Sequence, residues 1–130
     1  VQIIYEQCGE EVITSSDDPL DRKMTWAQVS ELASDPLFTV GGHTHTHAIL
    51  GHLNSAKMKV EIDTPIEMLK SKADIPEVRH FSYPEGFNGS FTEETIELLK
   101  SCGVVCSPTA MEGVNELDAS PFHLRRISVV

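Results

Sequence analysis

The sequence predicts an α/β fold built on a parallel sheet. Short apolar runs alternate along the chain with segments whose apolar residues recur at helical spacing. Strands and helices that alternate in this way favour parallel strands joined by right-handed crossovers, with ligands gathering at the carboxyl ends of the strands. The runs interpreted as strands are residues 37–40, 78–83, 104–106 and 124–130.

The first helix is predicted from the sequence Thr-Trp-Ala-Gln. In this capping box Thr25 can cap the first amides of the helix while Gln28 reaches back to it. Trp26 is interpreted as packing against the core rather than facing a sugar, because apolar residues follow it at helical spacing. The helix is expected to stop at the Asp-Pro pair at residues 35–36.

Two further helices follow, each with a recognisable beginning. Asn54 can cap the second, in which Pro65 predicts a kink, a break or a fresh first turn. The second strand then ends in the turn sequence Tyr-Pro-Glu-Gly at 83–86. Thr92 opens the third helix and Gly103 closes it.

Composition narrows the class of protein. With 130 residues, 40% hydrophobic and 23% charged, the chain has the composition of one globular domain. Twenty acidic against ten basic residues give a formal charge of -10, which argues against nucleic acid as a partner. No run of about 18 apolar residues is present, so no membrane span is predicted. Cys8, Cys102 and Cys106 are interpreted as small buried groups rather than a disulfide framework or zinc site.

Three of the six histidines lie together at residues 43–47, directly after the first predicted strand. Neutral imidazole is a common ligand of zinc and related metals. If the segment is helical, His43 and His47 share one face and His45 points elsewhere. If it is extended, all three project from the same side and could form a three-histidine site. The sequence leaves both geometries open.

A set of segments occurs in order along the chain: Met-Thr-Trp at 24–26, Val-Gly-Gly-His-Thr-His-Thr-His at 40–47, Arg-His-Phe-Ser-Tyr-Pro-Glu-Gly at 79–86, the helix at 92–103, and Leu-Arg-Arg-Ile at 124–127. Together they resemble the polysaccharide deacetylases with a NodB-homology domain, which are carbohydrate esterases. The resemblance implies a distorted (β/α) barrel and a metal-dependent hydrolase. It implies that acetyl groups are removed from an N- or O-acetylated polysaccharide such as chitin, peptidoglycan or poly-N-acetylglucosamine. The resemblance favours the cell envelope or the outside of the cell, and the sequence leaves a cytoplasmic location open.

The histidine cluster matches the family motif H-[ST]-x-x-H. The resemblance therefore implies that His43 and His47 bind a divalent metal, with zinc expected first and cobalt or nickel as alternatives. Thr44 would steady the loop, and His45 would be a variable position.

The turn at the second strand matches the family segment Phe-x-Tyr-Pro-x-Gly. The resemblance implies that Tyr83, Pro84 and Gly86 line the substrate groove. The backbone amide of Glu85 is the candidate oxyanion-hole donor, since a fixed amide can stabilise charge that develops only in the tetrahedral state.

The chain departs from the family at its acid and base. The family carries two aspartates on its first strand, one as general base and one as metal ligand, and that motif is absent. Asp17 and Asp18 are paired but lie in a polar, turn-rich stretch, so they are interpreted as loop residues. His80 and His123 are interpreted as structural or exposed, so no general acid is assigned.

The length of the chain is consistent with the absence of the aspartate motif. A complete eight-stranded barrel takes about 250 residues. Residues 1–130 are therefore expected to form one incomplete domain, a partial barrel truncated at its N-terminus, with 1–23 as an irregular or edge segment and 24–130 as βα units. Unpaired sheet edges favour a homodimer.

Two other functions remain open. A non-catalytic derivative would keep glycan or metal affinity but lack the base, and a carboxylate within reach of the metal distinguishes it from an enzyme. Two histidines alone are too few protein ligands for a catalytic zinc site. A simple histidine-rich metal module would use His45 as well.

Overall fold

The computed structural model describes residues 18–127 and residue 129. The described part contains three α-helices: α1 (Trp26–Ser34), α2 (Ser55–Ala73) and α3 (Glu93–Ser101). Short 3-10 helices occur at Pro19–Asp21 and Leu50–His52. The three helices predicted from the sequence are therefore confirmed. Across the described residues, none of the helices combines the length and apolar character that crossing a membrane requires.

Helix α1 begins as its capping box predicts. The Thr25 amide donates to Gln28 Oε1 at 2.8 Å, and the Gln28 amide donates to Thr25 Oγ1 at 3.3 Å. The helix ends at Ser34, just before the Asp-Pro pair. The interpretation of Trp26 as a core residue is wrong, because 38% of it is exposed and Lys72 Nζ lies 5.4 Å from its ring centre. No residue of α1 is buried, so this helix lies on the surface of α2 rather than in the core.

Helix α2 begins at its predicted cap, where Asn54 Oδ1 accepts from the Lys57 amide at 3.0 Å. Of the kink, break or fresh first turn predicted at Pro65, neither the break nor the fresh first turn occurs, because one helix runs from Ser55 to Ala73. Ile62, Ile66 and Leu69 on either side of the proline are buried. Burying a large aliphatic side chain contributes about 1.5–3 kcal/mol, so three of them outweigh the roughly 3 kcal/mol that a proline costs inside a helix.

Helix α3 is capped at both ends as predicted. Thr92 and Thr95 form a reciprocal capping box at its start, where Glu93 and Glu94 lie near the positive end of the helix dipole. At its end the Gly103 amide donates to the Lys100 carbonyl at 3.0 Å and the Val104 amide to the Leu99 carbonyl at 3.1 Å. This pair of bonds is a Schellman motif, with Gly103 at φ +88°.

The strands are parallel, as predicted, but they pair through single bridges rather than a continuous ladder. In the described part of the chain these bridges join Gly42 to Phe81, His80 to Cys106 and Glu112 to Arg126. The predicted strand at 37–40 is wrong in position, since the first bridge among the described residues is at Gly42, and Leu37 and Phe38 are exposed. The described residues therefore have the predicted parallel α/β arrangement, and the partial (β/α) barrel stays a prediction. Residues 128 and 130 of the last predicted strand lie outside the described residues.

The core lies between α2, α3 and the bridged segments. Its buried apolar side chains are Leu50, Met58, Ile62, Ile66, Leu69, Ala73, Ile75, Val78, Phe81, Tyr83, Ile96, Leu99, Val104 and Phe122. Cys102 and Cys106 are free thiols and half-buried, and Cys102 donates to Asp63 Oδ1 at 3.4 Å. Cys8 lies outside the described residues. This core fixes the carboxyl ends of the bridged segments, from which the histidine loop and the 83–86 turn emerge.

Candidate functional site

The histidine segment is a loop that is neither helical nor extended. Thr44 has φ +60° and His47 has φ +61°, both in the left-handed region that non-glycine residues rarely adopt. Neither geometry considered from the sequence is therefore present. The loop nevertheless brings the His43 and His47 rings together, edge to face, with centroids 4.8 Å apart and planes at 70°.

His43 is oriented by the neighbouring bridged segment. Its Nδ1 lies 2.7 Å from the Ser82 carbonyl oxygen. A carbonyl can only accept, so Nδ1 carries the hydrogen and Nε2 keeps its lone pair for another ligand. Metal-binding histidines are usually oriented in this way, by a hydrogen bond from the ring nitrogen that does not bind the metal.

Glu61 of α2 holds the loop from its other side. Its Oε2 accepts from the His45 amide at 2.9 Å and the Thr46 amide at 2.8 Å, and its Oε1 accepts from the Thr46 hydroxyl at 2.7 Å. Burial acts to raise the pKa of Glu61, but the hydrogen bonds from Thr46 and His45 outweigh it and hold the pKa below its usual value. The carboxylate is therefore ionised at neutral pH.

The histidine pair fits part of a metal site. Two adjacent imidazoles, one with its Nδ1 held by a hydrogen bond so that its Nε2 is available, suit two ligand positions of a zinc-type ion. Within residues 18–127 and 129, no group of three potential His, Cys, Asp or Glu ligands is present. Asp18 caps the 3-10 helix Pro19–Asp21, accepting from the Leu20 amide at 2.9 Å, which confirms it as a loop residue. Asp17 lies outside the described residues.

The turn at 83–86 is tight and strained. The Gly86 amide donates to the Pro84 carbonyl at 2.7 Å, which closes a three-residue turn around Glu85 at φ +61°. A left-handed conformation costs a residue with a side chain about 1–2 kcal/mol. Gly86, at φ +71°, is fixed by the Ala110 amide, which donates to its carbonyl at 2.9 Å. The Glu85 amide donates to no group among the described residues.

The residues predicted to line a substrate groove are buried. Tyr83 is 3% exposed; its hydroxyl donates to the Phe122 carbonyl at 3.3 Å and its ring stacks on Phe91 with centroids 4.0 Å apart. Burial raises the pKa of Tyr83 to about 12. Pro84 and Gly86 are buried as well. Direct substrate contact by Tyr83, Pro84 and Gly86 stays a prediction.

An open cleft of about 260 Å³ lies beside His43. Its walls come from α1, α2 and the histidine loop, and its lining residues are Trp26, Gly41, Gly42, His43, Thr44, His45, Pro65, Met68 and Leu69. Trp26, which is 38% exposed, is its one aromatic lining residue apart from the histidines. A cleft with an aromatic wall next to the metal-binding candidates has the features of a ligand site.

Sequence reasoning missed two residues at this site. Glu61 holds the histidine loop, and Arg126 Nη2 donates to Ser82 Oγ at 3.1 Å, next to the carbonyl that orients His43. Glu61 has no sequence signal, because it lies within an ordinary helical pattern. Arg126 belongs to the segment 124–127 that the resemblance includes, but its contact with Ser82, 44 residues away, could not be read from that segment. His80 and His123 are exposed, as interpreted.

Comparison with known proteins identifies the family. The sequence model of the polysaccharide deacetylases, described as "Polysaccharide deacetylase", matches residues 9–107. The chain belongs to the polysaccharide deacetylase family. No curated protein matches the chain.

Solved structures agree with the family assignment. The deacetylase PplD of Streptococcus pyogenes, solved in complex with acetate, has 17% identity and a TM-score of 0.73 over 86% of this chain and 47% of its own. The BpsB deacetylase domain of Bordetella bronchiseptica has 19% identity and a TM-score of 0.70 over 92% of this chain and 55% of its own. IcaB of Ammonifex degensii has 25% identity and a TM-score of 0.61 over 80% of this chain and 47% of its own. This polysaccharide deacetylase chain thus shares their fold and spans about half the length of each.

Proposed function

We propose that this chain carries the histidine part of a metal-dependent deacetylase centre, which removes acetyl groups from an N- or O-acetylated polysaccharide. The observation that carries the proposal is the His43–His47 pair, with rings 4.8 Å apart and His43 oriented by the Ser82 carbonyl at 2.7 Å. Membership in the polysaccharide deacetylase family supports the substrate class.

Each residue of the site has a distinct part in the proposal. His43 and His47 would bind the ion, which we expect to be zinc, through ring nitrogens that make no hydrogen bond to a described residue. The chemistry that a bound divalent ion supplies is activation of water near neutral pH and polarisation of the acetyl carbonyl. The Glu85 amide, without a partner among the described residues, would donate to the oxygen that gains negative charge. Ser82 would keep His43 in the tautomer that binds metal.

The glycan would lie in the cleft beside the pair. The Trp26 ring, which lines this cleft together with residues of the histidine loop, would pack against a sugar ring. An acetylated polysaccharide of the chitin, peptidoglycan or poly-N-acetylglucosamine type has both the apolar ring face and the acetyl group that this arrangement requires.

The test is a titration of the purified protein with Zn²⁺ and Co²⁺ followed by acetate release from a chitin oligomer. We expect His43→Ala and His47→Ala to lose metal binding, whereas His52→Ala, in the 3-10 helix Leu50–His52, retains it. His45→Ala separates the pair from a three-histidine module, because binding is expected to survive it. Metal affinity that both His43→Ala and His47→Ala leave unchanged would overturn the proposal.

A non-catalytic metal- or glycan-binding derivative is the second candidate. It is favoured by one observation, that no third potential ligand joins the two histidines among residues 18–127 and 129. Metal binding without acetate release would support it. A carboxylate from a second copy of the chain would instead restore catalysis, so size-exclusion chromatography of the active fraction tests the predicted homodimer.

A further inference from the structure

The loop that carries the histidine pair does not adopt the conformation its local sequence prefers. Thr44 and His47 both have φ near +60°, although neither is a glycine and Thr44 is branched at Cβ. The Thr44 hydroxyl is also buried without a hydrogen-bond partner among the described residues. Contacts from elsewhere in the fold must therefore hold this loop in place.

Glu61 supplies those contacts to the middle of the loop. Its carboxylate binds His45 and Thr46, the two residues between the left-handed Thr44 and the left-handed His47. The bonds come from two successive amides and a hydroxyl, and hydrogen bonds to an ionised carboxylate are stronger than those between neutral groups. Glu61 lies on α2 between Met58 and Ile62, which are both buried in the core. The backbone of Glu61 is therefore held in a fixed position.

The two histidines depend on the loop to different degrees. His43 has its own anchor, the hydrogen bond from Nδ1 to the Ser82 carbonyl at 2.7 Å. The ring of His47 has no hydrogen bond to any described residue, and its described contact is the edge-to-face packing against His43. The position of His47 is therefore set by the backbone that Glu61 holds.

We propose that Glu61 is a positioning residue for the metal pair: through His45 and Thr46 it fixes the backbone that places His47 opposite His43, without binding the ion itself. This inference rests on the proposed function of His43 and His47. It assigns a role in that site to a helix residue which the motif H-[ST]-x-x-H does not include.

The experiment compares three variants of the purified protein. Glu61→Ala removes all three hydrogen bonds, whereas Glu61→Gln keeps an oxygen that can accept the two amide bonds. Glu67→Gln is the matched control, because Glu67 lies on the same helix, is exposed and pairs with Lys70 at 3.1 Å. Co²⁺ absorption spectra and Zn²⁺ titration give the affinity, and circular dichroism at each step shows that the variant is folded.

We expect Glu61→Ala to weaken metal binding by about 10–100-fold, the usual effect of removing a partner that orients a metal ligand. Glu61→Gln should recover part of that loss, and Glu67→Gln should match the unaltered protein. Folded Glu61→Ala protein that binds Co²⁺ within about twofold of the unaltered protein would overturn the inference.

A second readout does not need the metal. Amide hydrogen exchange of the metal-free protein should show His45 and Thr46 protected in the unaltered chain and unprotected in Glu61→Ala. Equal exchange in both would overturn the inference even if no metal bound. Failure of the unaltered protein to bind Zn²⁺ or Co²⁺ would instead overturn the proposed function, so the two failures are distinguishable.

Discussion

Gly86 is the residue whose substitution tests the site geometry most directly. In Gly86→Ala the new Cβ would lie 2.7 Å from the Ala110 amide nitrogen, on a backbone with φ +71°. Left-handed backbone costs about 1–2 kcal/mol for a residue with a Cβ. Overpacking against a fixed neighbour adds about 1–3 kcal/mol. We therefore expect the variant to lose about 2–5 kcal/mol of the free energy of unfolding.

Gly89 provides the matched control for this prediction. It has φ +87°, but nothing lies within 4 Å of the position its Cβ would occupy. Gly89→Ala should thus lose only the conformational part, about 1–2 kcal/mol. Both substitutions restrict the unfolded chain equally, so that effect cancels in the comparison. Urea titration of the two variants gives the difference, and a Gly86→Ala loss no larger than that of Gly89→Ala would refute the steric reasoning.

Two further predictions concern the buried support beneath the turn. The pKa of Tyr83 is raised to about 12 from the ordinary value of 10.0, so the unfolded chain loses its phenol proton first. The stabilisation from Tyr83 is fully present below pH 10 and is lost as the pH rises toward 12, with a slope of at most about 1.4 kcal/mol per pH unit. Urea titrations from pH 9 to 12 should show this loss in the unaltered protein, and a Tyr83→Phe variant with the same pH dependence would contradict it. Phe91→Ala removes the ring stacked on Tyr83 and should cost about 2–3 kcal/mol. Phe87→Ala, whose ring is 55% exposed, should cost less than about 0.5 kcal/mol, and equal losses in the two thermal or urea titrations would count against the stack.

Local chemistry explains which parts of the fold could be predicted. The start of α1 follows from Thr25 and Gln28, which meet within one turn, and the end of α3 follows from Gly103. Pro65 shows the limit of such rules, because its effect depends on whether distant apolar residues bury the helix around it. The strand expected at 37–40 fails for the same reason, since an apolar run becomes a strand only where a partner pairs with it.

In the candidate site, too, local sequence patterns predicted some features and tertiary contacts determined the others. The motif indicated His43 and His47 as a pair, but it did not indicate the left-handed loop that brings their rings to 4.8 Å. The groove residues were chosen by resemblance, and the structure buries Tyr83 at 3% exposure. Tyr83 stacks on Phe91 and donates a hydrogen bond to the Phe122 carbonyl, contacts that no local pattern around residues 81–86 reveals.

By itself the sequence determined the three helices with their capped ends, the parallel α/β class and the family. Each of these follows from short segments whose residues are close together along the chain. Tertiary structure alone decided that Glu61 holds the histidine loop, that Ser82 orients His43 and that Arg126 reaches Ser82. These contacts join residues 15 to 44 positions apart. Such contacts form only after the core has brought distant segments together, and hydrogen bonds of this kind leave no periodic or local signature in the sequence.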